Sequence, residues 1–258
     1  MPTSLNNTLS VWHALFLREA LDRLFGVRAA WVWLIVEPAF HICFIAVVWG
    51  AMRKSTMGGV HTGLWIMLGM LSFFLFRRSA VQALHALDSN KAFFAFRQVR
   101  PFDVAFIRAG VEAFIMFFIA TAMMILALLY GLDIVPANVL QVLSALFFLW
   151  VFGLGYGLVG SVCMRLVPET SHLLQIAMMP LYLVSGVILP IFNIPQPYRE
   201  YLLWNPLVHG LETVRIGFFE NYHTVPSIEL SYLAMWALCS MALGLILYRV
   251  HETRLIMQ

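Results

Sequence analysis

The chain has 258 residues, 62% of them hydrophobic and only 11% charged, where ordinary soluble domains carry roughly a quarter. A mean hydropathy of +0.85 leaves too little polar surface to face water on every side, so a soluble enzyme is excluded and most of the exterior must face lipid. The net charge of +3 gives no ground for a nucleic-acid partner.

Residues 1–28 place Ala14, Leu17, Ala20, Leu21, Leu24 and Phe25 on one helical face and Arg18, Glu19, Asp22 and Arg23 on the other. That pattern predicts an amphipathic helix lying in the cytoplasmic interface, either as an anchor or as a helix that moves with a partner. The segment shows no short apolar run followed by a small-residue cleavage site, so no removable signal peptide is expected.

Runs free of Asp, Glu, Lys and Arg cover residues 55–76, 113–132, 134–164, 170–198 and 230–248, and a sixth, 29–52, is interrupted only by Glu37. Each approaches or exceeds the ~20 residues that cross the hydrocarbon core as a helix, which predicts six spans at 29–52, 60–84, 104–132, 136–164, 170–190 and 227–249. The expected fold is an all-α integral membrane domain over 1–258. A cytoplasmic segment is predicted at 85–103, a periplasmic one with short interfacial or re-entrant helices at 191–226, and a cytoplasmic tail at 250–258. Of the 16 Lys and Arg residues, 12 then lie inside, leaving Arg53, Lys54, Arg199 and Arg215 outside. The positive-inside rule therefore puts both termini in the cytoplasm. Cys43, Cys163 and Cys239 fall inside spans and are read as small buried apolar residues.

In the first span, Glu37 and His41 share a helical face with Trp33, Phe40 and Phe44. A carboxylate at this depth is costly unless it is solvated or paired, so the face is expected to look into the bundle or a polar cavity. Two readings stand: a structural pair stabilising a kink at Pro38, or part of a translocation path in which aromatic and polar residues meet a passing sugar chain. Tyr182 and Ser185, after Pro180 in the fifth span, repeat the pattern. The segment around Arg77 to Arg108 interleaves charges with Phe93, Phe94 and Phe96, which favours a structured contact with another protein over a solvated basic loop. Gly153, Gly155, Gly157 and Gly160 formally satisfy G-x-G-x-x-G. Sitting mid-span, however, they read as G-x-x-x-G helix packing through Gly153 and Gly157, extended by Ser161. Outside the fifth span, Asn205 and Pro206 form an N-cap and first-turn pair for a helix over 207–219 carrying His209, Glu212 and Arg215. Tyr198, Tyr201 and Trp204 precede it as belt residues or a cap over the bundle.

No G-x-x-x-x-G-K-[ST] is present, the only lysines being Lys54 after Arg53 and Lys91 after Asn90, so the chain cannot bind ATP through a P-loop. H-E-x-x-H, G-x-S-x-G and Cys/His pairs at metal spacing are likewise missing, and no metal site is expected. The 13 acidic residues are scattered, which argues against an enzyme acting on lipid-linked sugars. A channel or proton-coupled carrier would need paired ionisable residues at mid-span, and only Glu37 and His41 offer that.

Several segments resemble the membrane subunit of bacterial capsular polysaccharide ABC exporters, the Kps-type group-2 permeases of the ABC-2 family. They are Leu15-Phe16-Leu17-Arg18-Glu19 with Arg23 and Gly26, Glu37-Pro38, Phe96-Arg97-Gln98-Val99-Arg100-Pro101-Phe102-Asp103, and Leu202-Leu203-Trp204-Asn205-Pro206-Leu207-Val208-His209. The resemblance covers nearly the whole chain. Pro206-Leu207-x-His209-x5-Arg215 also fits the end of the broader ABC-2 signature, with a partial fit upstream. The resemblance implies a homodimer paired with two cytoplasmic ABC ATPase subunits, which would hold the ATP and Mg while this chain holds no cofactor. It implies an ATPase-docking coupling helix over 88–101, drawing on Asp88, Asn90, Lys91, Phe94, Phe96, Arg97, Gln98 and Arg100. It also implies a canal lined by the first and fifth spans, with Trp33, Glu37, Phe40, His41, Phe44, Tyr182 and Ser185 as path residues. The amphipathic helix would sit at the gate where substrate enters, and Arg18, Arg23 and Arg28 would either attract the acidic lipid terminus or simply contact anionic lipid. Capsule must continue outward, so Tyr198, Tyr201 and Trp204 would meet a periplasmic adaptor and, through it, an outer-membrane export protein. The cargo would be lipid-linked acidic polysaccharide in the bacterial inner membrane, with O-antigen or teichoic-acid export as the nearest alternative.

Overall fold

The computed structural model describes residues 4–26, 28, 30–52, 56–89, 100–252 and 255. Helices α1 (Ser4–Phe25) and α2 (Ala30–Met52) lead into a two-residue-per-strand hairpin, β1 (Thr56–Met57) and β2 (Val60–His61). The turn between the strands is Gly58-Gly59, both at positive φ (58° and 88°), a backbone shape that residues with a Cβ resist. Then follow α3 (Thr62–Leu84), the short α4 (Ala86–Ser89), α5 (Pro101–Leu129) and α6 (Val139–Leu166). The rest of the chain holds α7 (Thr170–Ile176), α8 (Met178–Val184), α9 (Tyr198–Leu202), α10 (Pro206–Phe218) and α11 (Leu230–Val250).

Five of these helices, α2, α3, α5, α6 and α11, are long and apolar enough to cross a membrane. Helix α3 is the axis of the bundle: Trp65, Ile66, Met70, Phe73, Phe76 and Ala80 on it are completely buried. Close packing with α6 follows from the small residues predicted to provide it. A Cβ on Gly153 would lie 2.6 Å from the Phe76 carbonyl oxygen, and one on Gly157 would overlap the Ala83 Cβ. On its other side α6 meets α11, where the Ser161 and Tyr248 hydroxyls are hydrogen-bonded at 2.7 Å.

Three expectations change. The fifth run is not one 170–190 helix. Pro180 has no N–H to offer the Ile176 carbonyl, and the helix is divided at Ala177. Helices α7 and α8 together cover Thr170–Val184, about 22 Å at 1.5 Å per residue, short of the ~30 Å hydrocarbon core. Beyond Ser185 and Gly186 the chain turns back through a 3-10 turn at Ile191–Asn193, so residues 185–190 are an apolar fold-back rather than the end of a span.

The second change concerns α1, where two residues of the charged face, Glu19 and Arg23, turn into the bundle while Arg18 and Asp22 stay exposed. Its charged Glu19 is buried with Ala20 and Arg23 is half-buried, while Leu17, Leu21 and Phe25 are exposed. The reason is the solvent: polar groups find partners inside the bundle, and apolar ones are best left facing lipid. Third, Cys43 and Cys239 are exposed on their helices and Cys163 is half-buried, so none is a core residue.

Candidate functional site: a polar layer and its cavity

Charged side chains that the sequence scatters over four helices converge at one level of the bundle. Glu112, one turn after Arg108 on α5, is buried and faces two arginines. Arg23 Nη1 of α1 lies 2.5 Å from its Oε1, and Arg78 Nε of α3 lies 3.0 Å from its Oε2. Glu19, one turn before Arg23, receives Arg23 Nη2 at 3.1 Å and Arg108 Nε at 3.2 Å. Gln82 Oε1 accepts hydrogen bonds from Arg108 Nη2 at 2.8 Å and from Arg23. At the start of α5, the Asp103 carboxylate accepts from the Arg100 backbone N–H (3.0 Å) and from Trp12 Nε1 of α1 (2.9 Å). The pairs Trp12 with Asp103, Glu19 with Arg108 and Arg23 with Glu112 advance together, so α1 runs alongside the first third of α5 in the same direction.

Between α2 and α3 this layer opens into a cavity of about 230 Å³ lined by Glu37, Pro38, His41, Phe74, Arg77, Arg78, Val81 and Gln82. Its polar wall is carried by Glu37 and His41 one turn apart on α2, and by Arg77, Arg78 and Gln82 on the last two turns of α3. The His41 ring lies 5.8 Å from Phe74 and 6.1 Å from Tyr182, and Tyr182 lies 5.1 Å from Phe73. The Tyr182 hydroxyl is buried with no hydrogen-bond partner among the described residues.

Of the residues expected to line a path, the structure thus gathers Glu37, His41 and Tyr182 from two separate spans. Trp33, Phe40 and Phe44 are exposed on the outer side of α2, Phe40 stacked on Phe44 at 6.2 Å. Ser185 is fully buried and already used: its hydroxyl donates to the Leu181 carbonyl and accepts from Asn205 Nδ2 at 2.9 Å. It ties α8 to the start of α10.

The three N-terminal arginines also part company. Arg23 is committed to Glu112, Glu19 and Gln82, whereas Arg18 and Arg28 are exposed, Arg18 with Glu19 at 3.9 Å. Among the coupling residues, Asp88 is exposed with Arg165 of α6 at 3.3 Å, and Arg100 is exposed as the N-cap of α5. Asn90, Lys91, Phe94, Phe96, Arg97 and Gln98 lie outside the described residues. Beside Asp88, His85 Nε2 meets Gln175 Nε2 of α7 at 3.0 Å, so the end of α3 touches the short fifth span. Sequence reasoning missed Arg77, Arg78, Gln82, Arg108 and Glu112 as a unit. The signal it passed over was spacing, with ionisable groups on α3 and α5 that sit about two to three turns inside the helix ends.

At the opposite end, Arg215 of α10 is completely buried. Its guanidinium bonds Glu212 Oε1 (2.6 Å), the Gly186 and Val187 carbonyls (2.9 and 3.0 Å) and the Trp65 carbonyl (3.3 Å), and lies 3.5 Å over the Trp65 ring. Glu212 in turn accepts from Tyr222 (2.9 Å) and Thr224. Burial first, and the Glu212 carboxylate second, push the Tyr222 phenol above its ordinary range, which keeps it a donor. His209 on the same helix accepts at Nδ1 from the Glu229 N–H (3.0 Å) and meets the Leu203 carbonyl through Nε2 (2.8 Å). Tyr198, Tyr201 and Trp204 stand exposed beside this assembly.

The pattern of the family described as "ABC-2 type transporter" matches residues 10–219. The polysialic acid transport protein KpsM of Escherichia coli is 32% identical over 239 residues, 93% of this chain and 92% of that protein. The capsule polysaccharide export inner-membrane protein BexB of Haemophilus influenzae is 26% identical over 246 residues, 93% of this chain and 90% of its own. The corresponding CtrC of Neisseria meningitidis serogroup A is 28% identical over 209 residues, 80% of this chain and 78% of that one.

Proposed function

Because this chain belongs to the ABC-2 type transporter family, we propose that it is the transmembrane subunit of an ATP-driven exporter carrying lipid-linked acidic capsular polysaccharide across the inner membrane. It is a transporter membrane subunit, not an enzyme. The observation that carries the substrate class is the likeness, over 93% of the chain, to a polysialic acid transport protein.

In this reading α7 and α8 form a short sixth membrane element, both termini face the cytoplasm, and two copies enclose the canal between their α2 and α8 helices. ATP and Mg reside on two cytoplasmic ATPase subunits that grip residues 88–101. Their closure is passed on through Asp88 to Arg165 on α6 and through His85 to Gln175 on α7. Movement there reaches α7 and α8 directly, and Glu37, His41 and Tyr182 line the route it opens. Arg18 and Arg28, exposed on the cytoplasmic side, attract the acidic lipid terminus. The exposed Tyr198, Tyr201 and Trp204 meet a periplasmic adaptor that leads to an outer-membrane export protein.

The test is a pull-down of the full chain from its native host combined with surface capsule staining. An ATPase and a periplasmic adaptor should co-purify. The double variant Arg97→Glu, Arg100→Glu should lose the ATPase and surface polymer while still inserting in the membrane. Normal surface polymer with that variant would refute the coupling assignment, and surface polymer of O-antigen or teichoic-acid type would change the cargo.

A further inference from the structure

We infer that the cavity between α2 and α3 is an anion subsite, in which Arg77 binds one acidic oxygen group of the transported chain, either a sugar carboxylate or a phosphate diester. The inference rests on the proposed export function and adds to it the residue that meets the charge.

The argument is an account of which polar groups are already spent. Arg78 is held by Glu112, and Gln82 Oε1 is held by Arg108 and Arg23. Arg77 lines the same cavity, yet no described carboxylate lies within ion-pair distance of it. No described residue accepts from Gln82 Nε2, and neither ring nitrogen of His41 has a described hydrogen-bond partner. The Tyr182 hydroxyl next to His41 is buried and equally without one.

The cavity therefore presents a guanidinium, an amide and an imidazole as donors, with the single carboxylate of Glu37 as acceptor. A charged oxygen group carrying neighbouring hydroxyls satisfies that set: its anion takes Arg77 and Gln82, and a hydroxyl donates to Glu37. Phe74 supplies an apolar wall for a ring face. At about 230 Å³ the space holds one such group with a few waters, at ~30 Å³ per water. One arginine outside ion-pair distance of any described carboxylate, with Glu37 across the cavity to temper it, also suits passage, since a polymer must bind well enough to enter and weakly enough to leave.

The experiment uses the full chain with its co-purified ATPase in nanodiscs of phosphatidylcholine. Two probes are titrated in separate arms, fluorescent oligosialic acid for the carboxylate and short-chain phosphatidylglycerol for the phosphate diester. Arg77→Gln should weaken binding of at least one probe about tenfold and flatten its dependence on salt. Arg77→Lys should recover most of that loss, and His41→Gln should give a smaller loss. Arg249→Gln, at the end of α11, should change neither arm. A loss confined to oligosialic acid identifies the sugar carboxylate, and one confined to phosphatidylglycerol identifies the lipid terminus. Unchanged binding of both probes by Arg77→Gln overturns the inference, as does failure of the unaltered chain to bind either. Neither result bears on whether the ATPase co-purifies or polymer reaches the surface, so the export reading stands or falls separately.

Discussion

Two arginine–glutamate assemblies, one at each end of the bundle, use the same chemistry to opposite effect. Around Arg215 every strong donor and acceptor is taken, the side chains are fully buried, and the partners come from α3, the fold-back after α8, α10 and the loop beyond it. Around Glu112 the two carboxylates are buried but the three arginines that share them are partly exposed, and an open cavity adjoins them. A closed, saturated network can only hold or break. A partly open one with spare cations can exchange partners, which suits the ligand-binding role proposed above. The Arg215 assembly is a fixed point, and the Glu112 layer is the adaptable one.

Substitutions should separate the two. The largest effect is expected at Glu212→Ala, which strands the buried Arg215 guanidinium and should cost about 3–5 kcal/mol. Thermal unfolding of the purified chain would measure it, and an unfolding temperature within a degree or two of the parent would remove the idea of a fixed point. Glu112→Gln comes next, at about 1.5–3 kcal/mol for charge-assisted hydrogen bonds weakened at Arg23 and Arg78. Here the contrast sharpens, because α1 should also detach. Spin labels on α1 and α5 would report a broadened distance distribution, and an unchanged one would mean that α1 is held by packing alone. Trp12→Phe is the smallest step. It removes one hydrogen bond to Asp103 for about 0.5–1.5 kcal/mol, and it should loosen only the N-terminal part of α1 in the same spin-label measurement.

Much of the scaffold is legible in the sequence because a bilayer leaves few ways to satisfy a backbone, so apolar runs of span length map onto helices. The Gly153 and Gly157 pairing with α3 is equally direct, since only small residues permit that approach. The fold-back at 185–190 escapes notice for the same reason that spans are easy. It is as apolar as a span, and the partner that pins its buried Gly186 and Val187, Arg215, lies some thirty residues downstream. The Glu112 layer is only half legible. Glu37 and His41 advertise themselves one turn apart in a single run, but Glu112 borders the run 113–132 and reads as a boundary, and its partners Arg23 and Arg78 are far away in sequence. The partial burial of the charged face of α1 escapes the sequence because the partners of Glu19 and Arg23, namely Arg108 and Glu112, lie some ninety residues away.

The order of charges where α1 meets α5 limits how the first helix can move. Along α1 the sequence runs Glu19 then Arg23, and along α5 Arg108 then Glu112, so each negative group faces a positive one. Sliding α1 by one helical turn, 5.4 Å, would set Arg23 against Arg108 or Glu19 against Glu112. Like charges at that separation repel in a region poorly screened by water. The four side chains therefore act as an electrical detent that opposes translation of α1 along the groove in both directions.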